Sequence, residues 1–259
     1  MKITNHKLDS HWYGESPNIG GRLNNPSILV MHFTASGGTN GKGDADYFKT
    51  KAAKTSAHLV IGRDGTVYQI VAFDHKAWHA GKSIWRGVAN CNDYSIGIEI
   101  DNWGKLVRTE DGKFRSWTKA EVDPSDVIKA THKNEASPCY WELYDERQLK
   151  ALEEVTRAIL EAYPSIKEIV GHDDIAPHRK TDPGPAFPME RFRSLVQGRA
   201  NRATLYRTTT SNLNVRGGPG TNFAVIKSLP KGTRVQVLYD KPGDWAQIAD
   251  GWVNDTYLA

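Results

Sequence analysis

The sequence predicts an α/β fold, a mixed β-sheet flanked by helices, joined to a second, small all-β barrel. Three observations predict it. Apolar runs with strand character alternate with helical patterns between Ser27 and Ala162, the alternation that packs helices onto a sheet. The segment DERQLKALEEVTRAILEAYP repeats apolar residues at steps of three and four, the stripe of a surface helix. Beyond Arg202 no helical period survives, and short β-branched runs are divided by turn formers. Residues 1–202 are therefore expected to form one domain and residues 203–259 another.

Taken in order, SILVMHF (Ser27 to Phe33) follows Asn24-Asn25-Pro26 and reads as a buried strand, with His32 the one polar side chain near its end. A glycine-rich connection leads to DADYFKTKAA, a short helical pattern for which Asp44 is the expected cap. HLVIGRDGTVYQIVAF joins two apolar runs at Asp64-Gly65, a strong hairpin signal. SIGIEID, from Ser95 to Asp101, is a further strand. Between Asn102 and Tyr144 periodicity is lost, and the stretch reads as a long insertion. The helix that follows is expected to bury Leu149, Leu152, Val155, Ile159 and Ala162, with Asp145 and Gln148 as a capping pair and Pro164 as its stop. In the tail, VIKSL, TRVQVLY, WAQIA and GWV are strands separated by Gly-Pro, Pro-Lys-Gly, Pro-Gly-Asp and Asp-Gly turns.

Composition excludes several classes of function. No apolar run approaches the about 18 residues that a membrane span needs, so no membrane insertion is expected. The amino-terminal residues lack the apolar stretch of about 7 to 15 residues of a secretory signal, so the chain is expected to be cytoplasmic as made. A net charge of +4, with bases and acids interleaved, leaves no nucleic-acid footprint. Cys91 and Cys139 are the only cysteines; they lie in no Cys-x-x-Cys spacing and are read as structural. The protein is expected to be a monomer.

Three stretches carry chemistry: His32 at a strand end, Glu99 inside SIGIEID, and GHDDIAPHRKTDPGPAF from Gly171 to Phe187. A catalytic zinc takes three nitrogen or oxygen ligands and keeps one position open, and His32, His172 and Asp182 form such a set. Zinc lowers the pKa of bound water toward about 7, so hydrolysis then needs a base and a cation for the oxyanion. Glu99 and Lys180 are the candidates. Singly, each has a plainer reading: His32 as a hydrogen-bonded core histidine, Asp182 before Pro183 as a turn residue. A carboxylate among the apolar residues of SIGIEI is harder to place, because burial without a partner forces it to take up a proton. Glu99 should therefore face a polar cavity or a cation.

VMHFTAS, SAHLVIGRDGTVYQIVAFDHKAWHAGKS, CNDYSIGIEID and IVGHDDIAPHRKTDPGPAF resemble the zinc-dependent N-acetylmuramoyl-L-alanine amidases of the type 2 family. That superfamily also holds T7-type phage lysozymes and animal peptidoglycan recognition proteins. The likeness covers about residues 25 to 190 apart from the insertion, and is strongest to the branch that cleaves anhydro-muropeptides in wall recycling. It implies zinc ligands His32, His172 and Asp182, a base Glu99 and an oxyanion stabiliser Lys180. Phage-type relatives carry a catalytic tyrosine where this chain has Ala57, which leaves the proton transfer to Glu99. His58 is read as structural and His178 as a rim residue. Trp78 and His79 are candidate substrate contacts with a core reading equally open, and Asn92, beside a packing Cys91, is a third candidate contact. The tail resembles bacterial SH3-like domains, which implies binding to the cell wall. The implied partner is thus peptidoglycan or its muropeptides. Two alternatives stay open: a recognition protein that binds without cleaving, and the same amidase chemistry in a phage lysin or a delivered antibacterial effector.

Overall fold

The computed structural model describes residues 1–259 except 201–205, 222, 241–243 and 249, and describes only the backbone of residues 199, 200, 206 and 238–240. The chain divides into two compact units, Met1–Arg193 and Ser194–Ala259. The expected boundary at residues 202 and 203 lies outside the described residues.

In the first unit a five-stranded mixed sheet has the order Glu168–Gly171, Ile28–Phe33, Ser95–Ile100, Leu59–Ile61, Val67–Gln69. The first four run parallel; the last pairs antiparallel with Leu59–Ile61 through the Asp64-Gly65 turn. Leu29, Val30, Met31, Leu59, Val60, Ile61, Ile96, Ile98 and Ile100 are all fully buried, as expected where a parallel sheet is covered on both faces and its strands become apolar runs instead of alternating ones. The helix Glu146–Ala162 buries Leu149, Leu152, Val155 and Ile159, and Asp145 caps it by accepting from the Arg147 N–H.

Four local expectations are corrected. Ala162 is exposed at the helix end. Gln148 is no capping partner: its side chain is fully buried, and Nε2 donates to the Ile61 and Asp101 carbonyls at 3.1 and 2.9 Å, tying the helix to the sheet edge. The helix Lys42–Phe48 starts two residues ahead of Asp44, with Gly41 as its N-cap. Asp44 instead accepts a 2.7 Å hydrogen bond from the Ser36 hydroxyl.

The fourth correction concerns the insertion, which is a sheet and not an aperiodic loop. Its five antiparallel strands follow the order Glu121–Val122, Phe114–Arg115, Lys105–Arg108, Pro138–Glu142, Val127–Thr131. They are short and mostly half-exposed, so the burial contrast that makes alternation visible is weak. Asp111-Gly112, with Gly112 at φ +82°, turns the hairpin between Lys105–Arg108 and Phe114–Arg115. It carries the same signal as Asp64-Gly65.

Anchors hold this sheet to the rest of the unit. Trp141, 1% exposed and bonded within the sheet to the Ala130 carbonyl, lies against Gly184, where a Cβ would come within 3.0 Å of its ring. Arg63 makes a bidentate pair with Glu142, at 2.8 and 3.1 Å, and a third contact with Asp101. His132 and Lys133 meet Asp173 at 2.9 and 2.8 Å.

In the second unit six antiparallel strands follow the order Tyr206–Thr208, Arg234–Asp240, Trp245–Ile248, Gly251–Asn254, Leu213–Arg216, Val225–Leu229. Leu213, Val215, Val235, Val237, Ala246, Ile248 and Val253 form its buried cluster.

Candidate metal centre and active site

The parallel sheet delivers the reactive groups from the carboxyl ends of adjacent strands, the edge where open α/β sheets place their ligand sites. Glu99 stands opposite His32 in the ladder, so both project from the same face. The neighbouring strand ends at Gly171, opposite Met31, and His172 follows as the first residue of a one-turn helix. The segment after that helix returns Asp182 to the same place; the Asp173 N–H donates to the Asp182 carbonyl at 2.8 Å, and the Tyr144 hydroxyl donates to the Pro183 carbonyl at 2.8 Å.

His32 Nδ1, His172 Nδ1 and Asp182 Oδ2 form a triangle with 2.9 Å on every side, and all three residues are buried. The outer nitrogens are engaged elsewhere. His172 Nε2 meets the Ala80 carbonyl at 3.1 Å, and since a carbonyl only accepts, His172 carries its N–H there. His32 Nε2 meets His79 Nδ1 at 3.0 Å. With the hydrogens of both rings turned outward, three lone-pair atoms face one another, an arrangement that a cation between them satisfies. Opening the triangle to the about 3.3 Å that bonds of about 2.0 Å set in a tetrahedral site takes a few tenths of an ångström per atom. Two imidazoles and one carboxylate are a zinc donor set, and the residues fit that ion.

Electrostatics agree with a site prepared for positive charge. Burial, with His172 close by, lowers His32 to about 4, so its ring is neutral at pH 7. Burial alone would raise Asp182, but the contacts with His172 and His32 outweigh it and hold the carboxyl below the usual range. Burial, followed by the charge of Asp182, raises Glu99 well above an ordinary glutamate, while Lys180 opposes both. Glu99 keeps part of its surface accessible, yet its Oε2 is enclosed and has no hydrogen-bond partner. Lys180, half-buried, bears on both His32 and Glu99. The structure thus brings His32, Glu99, His172, Lys180 and Asp182 to one place.

The three candidate contacts separate. Trp78 is 41% exposed. His79 is buried, between His32 and the Ser95 hydroxyl, which lies 3.1 Å from its Nε2. The side-chain oxygen of Asn92 accepts from the backbone N–H groups of His79 and Ala80 at 3.1 and 2.8 Å. His79 therefore adjoins the outer nitrogen of His32, and Asn92 holds the backbone of His79 and Ala80. His58 is fully buried; Nε2 donates to the His75 carbonyl and Nδ1 accepts from the Gly97 N–H, at 2.9 and 3.0 Å. Ala57, where phage-type relatives have tyrosine, is buried, and His178 is exposed. Sequence reasoning missed Ser95 and Tyr144. Ser95 opens the SIGIEI strand and Tyr144 precedes the helix cap, so nothing local separates either from an ordinary strand or loop residue.

The sequence matches the family described as N-acetylmuramoyl-L-alanine amidase over residues 22–185. The chain belongs to this family. Residues 211–259 of this amidase-family chain match the bacterial SH3 domain. Among curated relatives, the 1,6-anhydro-N-acetylmuramyl-L-alanine amidase AmpD of Citrobacter freundii is 34% identical over 73% of this chain and 94% of its own length. The Escherichia coli protein of that name is 40% identical over 55% of this chain. The chain spans 59% of the length of that E. coli relative and 58% of a Salmonella typhimurium one. The crystal structure of a selenomethionine derivative of AmpD superposes with a TM-score of 0.53 at 32% identity, covering 76% of this chain and 99% of that one. The fold is the amidase fold with a separate all-β region after it. Among the described residues no helix is long and apolar enough to cross a membrane.

Proposed function

We propose that the chain is a zinc-dependent amidase that hydrolyses the bond between the lactyl group of N-acetylmuramic acid and the L-alanine of the stem peptide, in peptidoglycan or its muropeptide fragments. The observation that carries this reading is the His32, His172 and Asp182 triangle with Glu99 beside His32 in sheet register. His32, His172 and Asp182 would hold the zinc. When bound, zinc polarises the amide carbonyl and lowers the pKa of water toward about 7.

The rest is the work of the chain's own residues. Glu99 takes the proton of the attacking water and returns it to the leaving amine; burial and the charge of Asp182 raise its carboxyl, which favours its holding the proton between the two transfers. Lys180, whose charge reaches Glu99 and His32, stabilises the oxyanion of the tetrahedral intermediate. Trp78, exposed on the segment that also carries His79 and Ala80, offers a ring face to sugar or peptide.

The SH3 match supports a division of labour in which residues 1–202 cut and residues 203–259 tether the enzyme to the wall. The names of the AmpD relatives point to 1,6-anhydro fragments, and the tethering module points to polymer as well. The test offers intact sacculi and soluble 1,6-anhydro-muropeptides to the purified chain and identifies products by mass. Release of L-alanine-terminated peptide, abolished by chelation and restored by zinc, is expected. Undiminished cleavage in a preparation free of metal by elemental analysis rejects the zinc reading, and cleavage at another bond rejects the amidase reading. Cutting of fragments alone indicates cytoplasmic recycling, whereas cutting of sacculi indicates export, a lysin or a delivered effector.

A further inference from the structure

We propose that His79 is a positioning residue that fixes which nitrogen of His32 faces the metal, and that the Trp78–Gly81 segment, clamped by Asn92, orients both metal histidines at once. The proposal rests on the reading of the triangle as a metal site.

The direction of each hydrogen bond follows from the far end of a chain of contacts. The Cys91 carbonyl can only accept, so the Ser95 hydroxyl, 2.5 Å away, gives its hydrogen there. Ser95 Oγ has no second hydrogen, and must accept from His79 Nε2 at 3.1 Å. A neutral His79 then has a bare Nδ1, which accepts from His32 Nε2 at 3.0 Å. That leaves a lone pair on His32 Nδ1, the atom at the triangle. Reversing any link places two hydrogens or two lone pairs against each other inside the fold, where an unmade hydrogen bond carries its full desolvation cost.

The second histidine is fixed by the next residue along. His172 Nε2–H donates to the Ala80 carbonyl, which also accepts from Arg179 at 2.8 Å. Both outward hydrogen bonds of the pair are thus received by two consecutive residues, one through a side chain and one through its backbone; Arg179, a donor only, also lies 3.4 Å from His172 Nε2 but gives its hydrogens to the Ala80 and Lys82 carbonyls. Asn92 accepts from the backbone N–H of His79 and of Ala80, which sets the two peptide planes flanking the His79 Cα and so the base from which the His79 ring and the following Ala80 are held. Room for the ring comes from Gly97, where a Cβ would lie 2.3 Å from His79 Cγ. The Glu99 strand is therefore bare at the point where His79 lies against it. A ligand histidine held by a partner on its outer nitrogen needs no reorientation when metal arrives, and loss of such a partner weakens metal binding by about 10 to 100-fold.

The experiment uses the full chain and has two readouts other than turnover. Zinc affinity is measured by competition with a chromophoric chelator for wild type, His79→Leu, His79→Gln, Asn92→Ala and Ser95→Ala. Nitrogen-15 spectra of the histidine rings report which nitrogen carries hydrogen in the zinc-loaded and metal-free chains. Expected are a loss of about 10 to 100-fold for His79→Leu and for Asn92→Ala, and affinity within about threefold of wild type for His79→Gln, whose carbonyl still accepts from His32. Ser95→Ala should lower affinity less and let the His79 ring sample both tautomers. Wild-type affinity in both His79 variants, or equal loss in both, overturns the proposal, the latter because it would assign the residue to packing alone. If His79→Leu does not fold, the wild-type spectra decide: hydrogen on His79 Nε2 and on His32 Nε2 upholds the proposal, and any other placement overturns it. A wild-type chain that takes up no zinc would reject the metal reading and this proposal with it, whereas zinc bound normally with an insensitive His79 rejects this proposal alone.

Discussion

The buried cluster of the carboxyl-terminal unit is made of seven aliphatic side chains, and among its described residues only Thr209 is a buried polar one. The amino-terminal unit encloses His32, His58, His79, His132, His172, Asp101, Asp173 and Asp182 along with its aliphatic core. The described core of one unit is stabilised by area removed from water, a contribution that binds and releases no protons. The other holds ionisable groups whose burial is tolerated only because each has a partner. The exceptions among the described ionisable groups, Glu99 Oε2 and Asp101 Oδ2, also lie in that unit. Chemistry and sensitivity to conditions therefore belong together in the amidase unit, and four perturbations probe that contrast.

The largest effect is expected from the triangle. Asp182→Ala removes the one anionic ligand and leaves His32 and His172 facing an uncompensated gap. Zinc content by elemental analysis and amide hydrolysis should both be lost, while the melting of the carboxyl-terminal unit, followed as a separate transition, stays in place. Zinc retained at one equivalent would break the assignment.

Next comes the base. Glu99→Gln keeps shape but cannot take a proton, and turnover should fall by about 10² to 10⁴ with zinc content near normal. A parallel fall in zinc would make Glu99 a support of the site, and unchanged turnover would remove it from the mechanism.

The third perturbation is pH. Burial lowers His58 to about 4, well below the about 6.5 of a histidine in an unfolded chain. Between those values the unfolded state binds a proton that the folded state refuses, so stability rises with pH and is lost as pH falls from about 6.5 toward 4. Each unit of such a difference corresponds to about 1.4 kcal/mol, and buried His79, also lowered well below its usual value, acts in the same direction. Thermal melts of the metal-free chain should show the amidase unit losing stability over this window and the other unit little changed. Parallel behaviour of the two would erase the contrast; His58→Gln should flatten the amidase curve.

The smallest effect is expected from removing the tail. A chain ending at Arg202 keeps every residue of the site and should cleave a soluble muropeptide with nearly unchanged kcat/KM. On sacculi it should bind and digest less well, because tethering raises local concentration only where one ligand reaches both sites. Equal loss on both substrates would mean that the tail supports the catalytic unit, and equal retention would remove the case for a tether.

Much of this molecule was legible along the chain because the signals are local. The apolar run of Ile28–Phe33, the Asp64-Gly65 hairpin, the Asp145 cap and four of the six described strands of the tail, all but Tyr206–Thr208 and Leu213–Arg216, were read from residues a few positions apart, and propensity, periodicity and turn chemistry act over that range. The identities of His32, Glu99, His172, Lys180 and Asp182 could be picked out by residue type and by family resemblance. The insertion could not be read, since two- to five-residue strands with half-exposed faces leave no contrast to count. Gln148 was misread for a related reason: its capping position suits a local bond, but the Ile61 and Asp101 carbonyls at the sheet edge take its amide.

By itself, then, the sequence determined the strongly apolar strands, the long helix, the change from one kind of architecture to another and the candidate side chains. Only the tertiary structure decided that groups as distant along the chain as His32 and Asp182 meet at 2.9 Å, and that His79 is buried against His32 while Asn92 holds its backbone. The physical reason is that a strand or a turn is set by torsions and burial within a short stretch. The direction of a hydrogen bond is set by whatever acceptor lies at the end of its chain of contacts, here a carbonyl at Cys91 that fixes the lone pair on His32 through Ser95 and His79.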